Sequence, residues 1–224
     1  MNTQYSRSVG DYLKAIHTLT LNNEQTSPLN LAEALQVAPS SVTSMLKKLS
    51  SLQPALVDYQ KSYGVSLTEE GKLAALRLIR RHRLLEEFLS RVMEYDWEDV
   101  HAEADELEHV ISPRFEDKLA NLLGDPQFDP HGDPIPGRDL SMPLSTTIPL
   151  AELKENKDAI IRRVHASQEE MFQHLGQLGL RPGSHIRVLS RNPLDFSIQF
   201  ILDDKGVSQV IGHDLSSVIF VDEI

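Results

Sequence analysis

A chain of 224 residues, 40% of them hydrophobic, is long enough to bury a sizeable core in one large or two modest domains. It contains no cysteine, which excludes disulfides, zinc ribbons, iron–sulfur clusters and thiol catalysis and leaves oxygen and imidazole as the strong metal ligands. The net charge of −11 is unevenly spread: residues 1–72 carry six Lys/Arg against six Asp/Glu, residues 73–140 eight against sixteen, and residues 141–224 eight against eleven. The neutral first third can approach a polyanion, while the acidic middle suits cations.

The N-terminal stretch MNTQYSRSVGDYLKAIH lacks the charged start and apolar core of a signal peptide. No run approaches the roughly 18 apolar residues that would span a bilayer, so the expected compartment is the cytoplasm, with no membrane partner. Residues 30–35 read as a short helix with Leu31, Ala34 and Leu35 toward a core, and residues 36–38 interrupt it. A second helix over 39–49 buries Val42, Met45, Leu46 and Leu49 and turns Ser40, Ser41, Thr43, Ser44 and Lys47 outward. That outer face is small and hydroxylic and ends in lysines, which suits close approach to base edges and phosphates. Residues 56–68 then form two short strands around a glycine-containing turn, placing Tyr59, Lys61 and Tyr63 where a wing touches backbone phosphate. Helix, turn, helix, hairpin is the winged-helix order, and it predicts binding to double-stranded DNA.

A longer helix over 73–89 sets His82 and Glu86 one turn apart. In residues 97–110, His101, Asp105, Glu108 and His109 fall at i, i+4, i+7 and i+8, one face of a helix. One acidic residue on a helix is ordinarily just solvated, but two carboxylates and two imidazoles gathered on one face cost repulsion unless a cation neutralises them. Asp11, from the first helix, can complete the set. Hard oxygens with one or two imidazoles favour Mn(II) or Fe(II) over softer ions. Glu106 and His109 make a single Glu-x-x-His; a di-metal carboxylate enzyme uses that pairing twice, so an enzyme is the disfavoured rival. His17, His131, His165, His174, His185 and His213 are scattered and read as surface or packing residues.

Residues 124–149 hold six of the twelve prolines and read as an extended tether. Residues 150–179 look like a strand followed by a helix. The β-branched runs at 185–189, 196–202 and 217–221, separated by turn residues, predict a small β-barrel. The expected fold is thus mainly α with small β parts.

Several motifs resemble the diphtheria-toxin-repressor (DtxR/MntR) family of metal-dependent transcriptional regulators, and most closely its manganese-transport-regulator branch. They are Pro39-Ser-Ser-Val-Thr43, Leu67-Thr-Glu-Glu-Gly-Lys72, Arg81-His-Arg-Leu-Leu-Glu86, Trp97-Glu-Asp-Val-His-Ala-Glu-Ala104, Glu108-His109 and Asp133-Pro-Ile-Pro-Gly137. The resemblance implies a winged helix-turn-helix domain over 1–72, a helical metal-binding and dimerisation domain over 73–140, a linker over 141–149 and an SH3-like (FeoA-like) domain over 150–224. It also implies a primary site of Asp11, Asp105, Glu108 and His109 and an ancillary site of His82, Glu86 and His101. Donors to the ancillary site from the last domain would come from residues 168–170, with Gln168 and Glu170 preferred.

Iron sensors of the family typically carry Met and Cys where this chain has Asp11 and Asp105, so the resemblance points to Mn(II), with Fe(II) the alternative. Zn(II), Co(II), Ni(II) or Cd(II) would serve as in-vitro substitutes. Binuclear manganese regulators carry a glutamate where this chain has Lys14. The implied protein is a cytoplasmic, non-enzymatic repressor of metal-uptake genes. It would be a homodimer joined through a helix over 115–123, with Leu119, Leu122 and Leu123 at the interface, and would bind a palindromic operator.

Overall fold

The structure is a computed structural model that describes residues 5–21, 23–146, 148–166, 169–202 and 206–224. It divides into two compact units: residues 1–82 with 108–111 and 136–141, and residues 83–107 with 112–135 and 142–224. Among the described residues no helix is long and apolar enough to cross a membrane.

The first unit opens with α1 (Arg7–Leu19), whose Val9, Tyr12, Leu13 and Ile16 recur at the helical spacing and are buried. α2 (Pro28–Ala34) starts where Ser27 accepts a hydrogen bond from the Asn30 N–H (3.0 Å), with Pro28 at the first helical position. This earlier start puts Leu31 and Ala32 in the core; Ala34, expected inside, is exposed, and Leu35 is only partly covered. After the turn at Gln36, whose φ is +52°, α3 (Pro39–Ser50) buries Val42, Leu46 and Leu49 and rests Met45 on the same core.

β1 (Val57–Gln60) and β2 (Gly64–Leu67) pair antiparallel, Val57 opposite Leu67 and Tyr59 opposite Val65. Gly64 has φ +115°, and a Cβ there would meet the Thr26 carbonyl oxygen at 2.6 Å, so the hairpin lies against residue 26 only because this side chain is absent. Thr68 then caps α4 (Glu69–Arg91): its Oγ1 accepts from the Gly71 N–H (3.1 Å) and donates to Ala55 O (2.7 Å). Side chains of α1, α2, α3, both strands and Ala74 and Ala75 of α4 form one core. Each fully buried Leu or Val in it contributes about 1.5–3 kcal/mol.

The second unit holds the rest of α4, α5 (Val100–Leu107) and α6 (Pro113–Leu123). α5 is shorter than the expected helical face over 101–109. Pro113 begins α6 with Ser112 as its cap, so the chain turns at 108–110. α6 ends at Gly124, which is left-handed (φ +79°). Its inward face is Leu119, Ala120 and Leu123, while Phe115 and Leu122, seven residues apart, face out. Leu119 and Leu123 are therefore core within the single chain, not the free interface expected of them.

The expected tether is also partly packed, since Asp129, His131 and Ile135 are buried. Asp129 Oδ1 accepts from the N–H groups of His131 and Asp133 (2.9 Å each). Gly132, at φ +82°, lies so close to Arg162 O that no side chain fits. Beyond it, β3 (Asp158–Val164), β4 (His185–Arg191), β5 (Ile198–Leu202), β6 (Ser208–Ile211) and β7 (Ile219–Glu223) form an antiparallel sheet in the order β6-β5-β4-β3-β7. Strict alternation in β5 buries Ile198, Phe200 and Leu202. α7 (Glu169–Gln177) adds Phe172 and Leu175 to that core, and α8 (His213–Ser217) precedes the last strand.

Candidate metal centre and nucleic-acid interface

In the first unit, α1 presents Asp11 and Lys14, three residues apart, on one face, α4 presents His82, and the turn after α5 carries Glu108 and His109. Glu108 is fully buried and sits at the centre of this group. His82 Nδ1 donates to its Oε2 (2.7 Å), and the Lys14 ammonium lies 2.7 Å from its Oε1. His109 Nε2 is 3.1 Å from Glu108 Oε1 and 3.6 Å from Asp11 Oδ1. Burial alone would push the Glu108 carboxyl up, but the hydrogen bond from His82 and the charge of Lys14 outweigh it and hold it below the usual range. Ligand atoms of Asp11, Glu108 and His109 all lie within 4.8 Å of one another. Two carboxylates and one imidazole converging on so small a space fit a hard divalent cation.

The second unit contains another such group, which the sequence did not reveal. Glu86 on α4 meets Asp129 and His131 of the 124–135 segment; all three are buried, with ligand atoms within 4.8 Å of one another. His101 Nδ1 donates to Glu86 Oε1 (2.9 Å), and His131 Nδ1 lies 3.8 Å from the same oxygen. Burial, with the charges of Glu86 and Asp133, pushes the Asp129 carboxyl well above its ordinary value, although Arg83 opposes this from 3.6 Å. Burial also pushes His131 down, which favours the neutral imidazole. His131, expected at the surface or in packing, does pack, its ring 4.9 Å from that of Trp97 and 4.4 Å from that of Phe172, and it also joins this acidic, buried cluster. The one signal available was the spacing Asp129-Pro-His131-Gly-Asp133 inside a turn-rich segment.

Asp105 stands on α5 one turn after His101, 3.9 Å from its Nε2. His82, on α4 one turn before Glu86, also makes a short contact with Glu108. Glu170 lies exposed in the first turn of α7, and Gln168 falls outside the described residues.

On α3, Ser40, Ser41, Ser44 and Lys47 are exposed, and Ser40, Ser41 and Ser44 line a shallow groove with Met45 and Lys48. The Thr43 hydroxyl donates back to Pro39 O (3.1 Å), so only its oxygen remains for an outside donor. At the wing, Lys61 and Tyr63 are exposed, Tyr63 by 77%. Tyr59, expected with them, packs partly on the core.

A winged helix-turn-helix and a buried carboxylate–imidazole centre in one compact unit define the class of metal-responsive DNA-binding regulators. Comparison with known proteins agrees. Residues 4–65 match the family described as iron dependent repressor, N-terminal DNA binding domain; residues 68–137 match iron dependent repressor, metal binding and dimerisation domain; residues 148–223 match the FeoA domain. The chain belongs to the diphtheria-toxin-repressor (DtxR/MntR) family of metal-dependent transcriptional repressors.

The chain is 27% identical over 227 residues to the iron-dependent repressor IdeR of Mycobacterium leprae, covering 95% of this chain and 96% of that one. It is 36% identical over 116 residues to the HTH-type transcriptional regulator MntR of Lysinibacillus sphaericus, covering 52% of this chain and 81% of that one. A solved manganese-dependent transcriptional repressor in complex with manganese superposes with a TM-score of 0.87 at 33% identity, covering 96% of this chain and all of that one.

Proposed function

We propose that this protein is a manganese-responsive repressor of metal-uptake genes, acting in the cytoplasm as a homodimer on a palindromic operator. The observation that carries the reading is the sulfur-free meeting of Asp11, Glu108 and His109 in the same unit as the DNA-reading helix. Asp105 would join these three as the primary ligands. His82, Glu86 and His101 would hold a second ion, with Asp129 and His131 beside Glu86, and Gln168 and Glu170 are the donors proposed from the last domain. Residues 1–72 would read DNA, 73–140 bind metal and dimerise, 141–149 link, and 150–224 form the SH3-like domain.

A bound cation would supply charge neutralisation and a link between α1 and the 108–109 turn. The chain's own residues do the rest. α1 carries Asp11 on one face and Leu13 and Ile16 on another, and those two share a core with Val42, Leu46 and Leu49 of α3. Restraining α1 therefore restrains the helix that bears Ser40, Ser41, Thr43, Ser44 and Lys47. A coupling of about 1–3 kcal/mol is the usual size of such linkage. The manganese-bound structural relative supports the metal assignment, and the absence of thioether and thiolate at residues 11 and 105 supports it independently.

The test is operator binding by chelator-stripped protein, titrated separately with Mn(II), with Fe(II) under anaerobic conditions, and with Zn(II). Tight binding with Mn(II) alone at low micromolar concentration is expected. Equal binding without metal would sink the switch, and a preference for Fe(II) would reassign the signal to iron.

A further inference from the structure

We infer that Gly10 is a positioning residue for the metal centre: its missing side chain is the seat of the His109 imidazole. The inference rests on the reading of Asp11, Glu108 and His109 as cation ligands.

Gly10 is the fourth residue of α1 and is buried. A glycine inside a helix is disfavoured relative to alanine, and here the backbone does not require one, because Gly10 is not among the residues with positive φ. Space is the remaining reason. A Cβ built on Gly10 would stand 3.1 Å from His109 Cε1, 3.2 Å from Leu78 Cδ1 and 3.7 Å from His109 Nδ1. The ring therefore rests on bare α1 backbone, while its Nε2 lies near Asp11 Oδ1, carried by the very next residue, and Glu108 Oε1.

An added methyl must push one of its two neighbours by a few tenths of an ångström. Leu78 is only 8% exposed on α4 and has little room to retreat. His109 sits in a turn rather than a helix, so the ring is the part that yields. Metal–ligand distances tolerate only about 0.2 Å, so the shift spoils the ligand set without unfolding the chain.

This separates two quantities that an ordinary packing residue would move together. Gly10→Ala should leave the unfolding midpoint of the metal-free, full-length protein unchanged or raised, because alanine is the better helix former. The same variant should weaken Mn(II) binding roughly 10- to 100-fold, the usual effect of disturbing the shell behind a metal ligand. Ser8→Ala, exposed on the same helix, is the control and should leave Mn(II) affinity within about twofold of the unsubstituted protein.

Mn(II) affinity is read directly by calorimetry and metal-free stability by thermal unfolding. Unchanged Mn(II) affinity in Gly10→Ala, with binding intact in the unsubstituted protein, overturns the role of Gly10 alone. Affinity and metal-free stability falling together, or failure to fold, assigns Gly10 to packing and also overturns it. Absence of Mn(II) binding by the unsubstituted protein overturns both this inference and the reading of the site.

Discussion

His82 Nδ1 lies 2.7 Å from Oε2 of Glu108, a carboxylate fully buried in a unit it reaches from 26 residues further along the chain. On its other oxygen Glu108 meets the Lys14 ammonium. The same carboxylate is thus a structural ion-pair centre and the innermost proposed metal ligand.

Glu108 is held below the usual carboxylate range, so in the metal-free protein its contribution is complete above the ordinary glutamate pKa and is lost as pH falls through the depressed folded value. Glu108→Gln is expected to flatten that part of the acid-unfolding curve. It should also cost about 1–3 kcal/mol at neutral pH, because the Lys14 ammonium and the His82 N–H lose their partner. Urea unfolding of chelator-stripped protein at a series of pH values measures both, and Mn(II) binding should be abolished.

Asp129 has the opposite sign. Its folded pKa is raised, so metal-free stability falls as pH climbs from the ordinary aspartate value through the raised one. Asp129→Asn should remove this slope, making the metal-free protein more stable at neutral pH while weakening the second metal site. Trp97 gives the readout: it is the chain's single tryptophan, and its ring centroid stands 4.9 Å from that of His131. A metal-induced change in Trp97 fluorescence that survives in Asp129→Asn but disappears in Asp11→Ala would assign the signal to the wrong site.

The two faces of α6 should respond differently to substitution. Leu122 is 64% exposed, so Leu122→Glu is expected to leave the single chain folded and shift the protein from dimer to monomer in sedimentation. Leu119 is 3% exposed, so Leu119→Ala should cost about 2–5 kcal/mol in unfolding experiments. A Leu122→Glu protein that remains dimeric would move the interface elsewhere.

Lys47 is exposed at the outer face of α3. As a phosphate contact, Lys47→Ala should weaken binding to operator and to unrelated DNA alike and lower the salt slope of log K by about one. Loss confined to the operator would mark Lys47 as a base reader instead.

The apolar period by itself determined that α1, α3 and α4 are helices and that a hairpin follows α3, because local spacing and turn residues suffice for elements of that length. Residue chemistry determined the hardness of the proposed metal site, since no cysteine is present to soften it. Tertiary structure decided which faces meet. Period shows that Leu119 and Leu122 lie near one another on a helix, but only packing turns the first inward and the second out. The pairing of His82 with Glu108, and of Glu86 with Asp129 and His131, spans tens of residues. Such pairing depends on where the turns at 108–110 and 129–133 bring the chain back, and no local rule encodes that return.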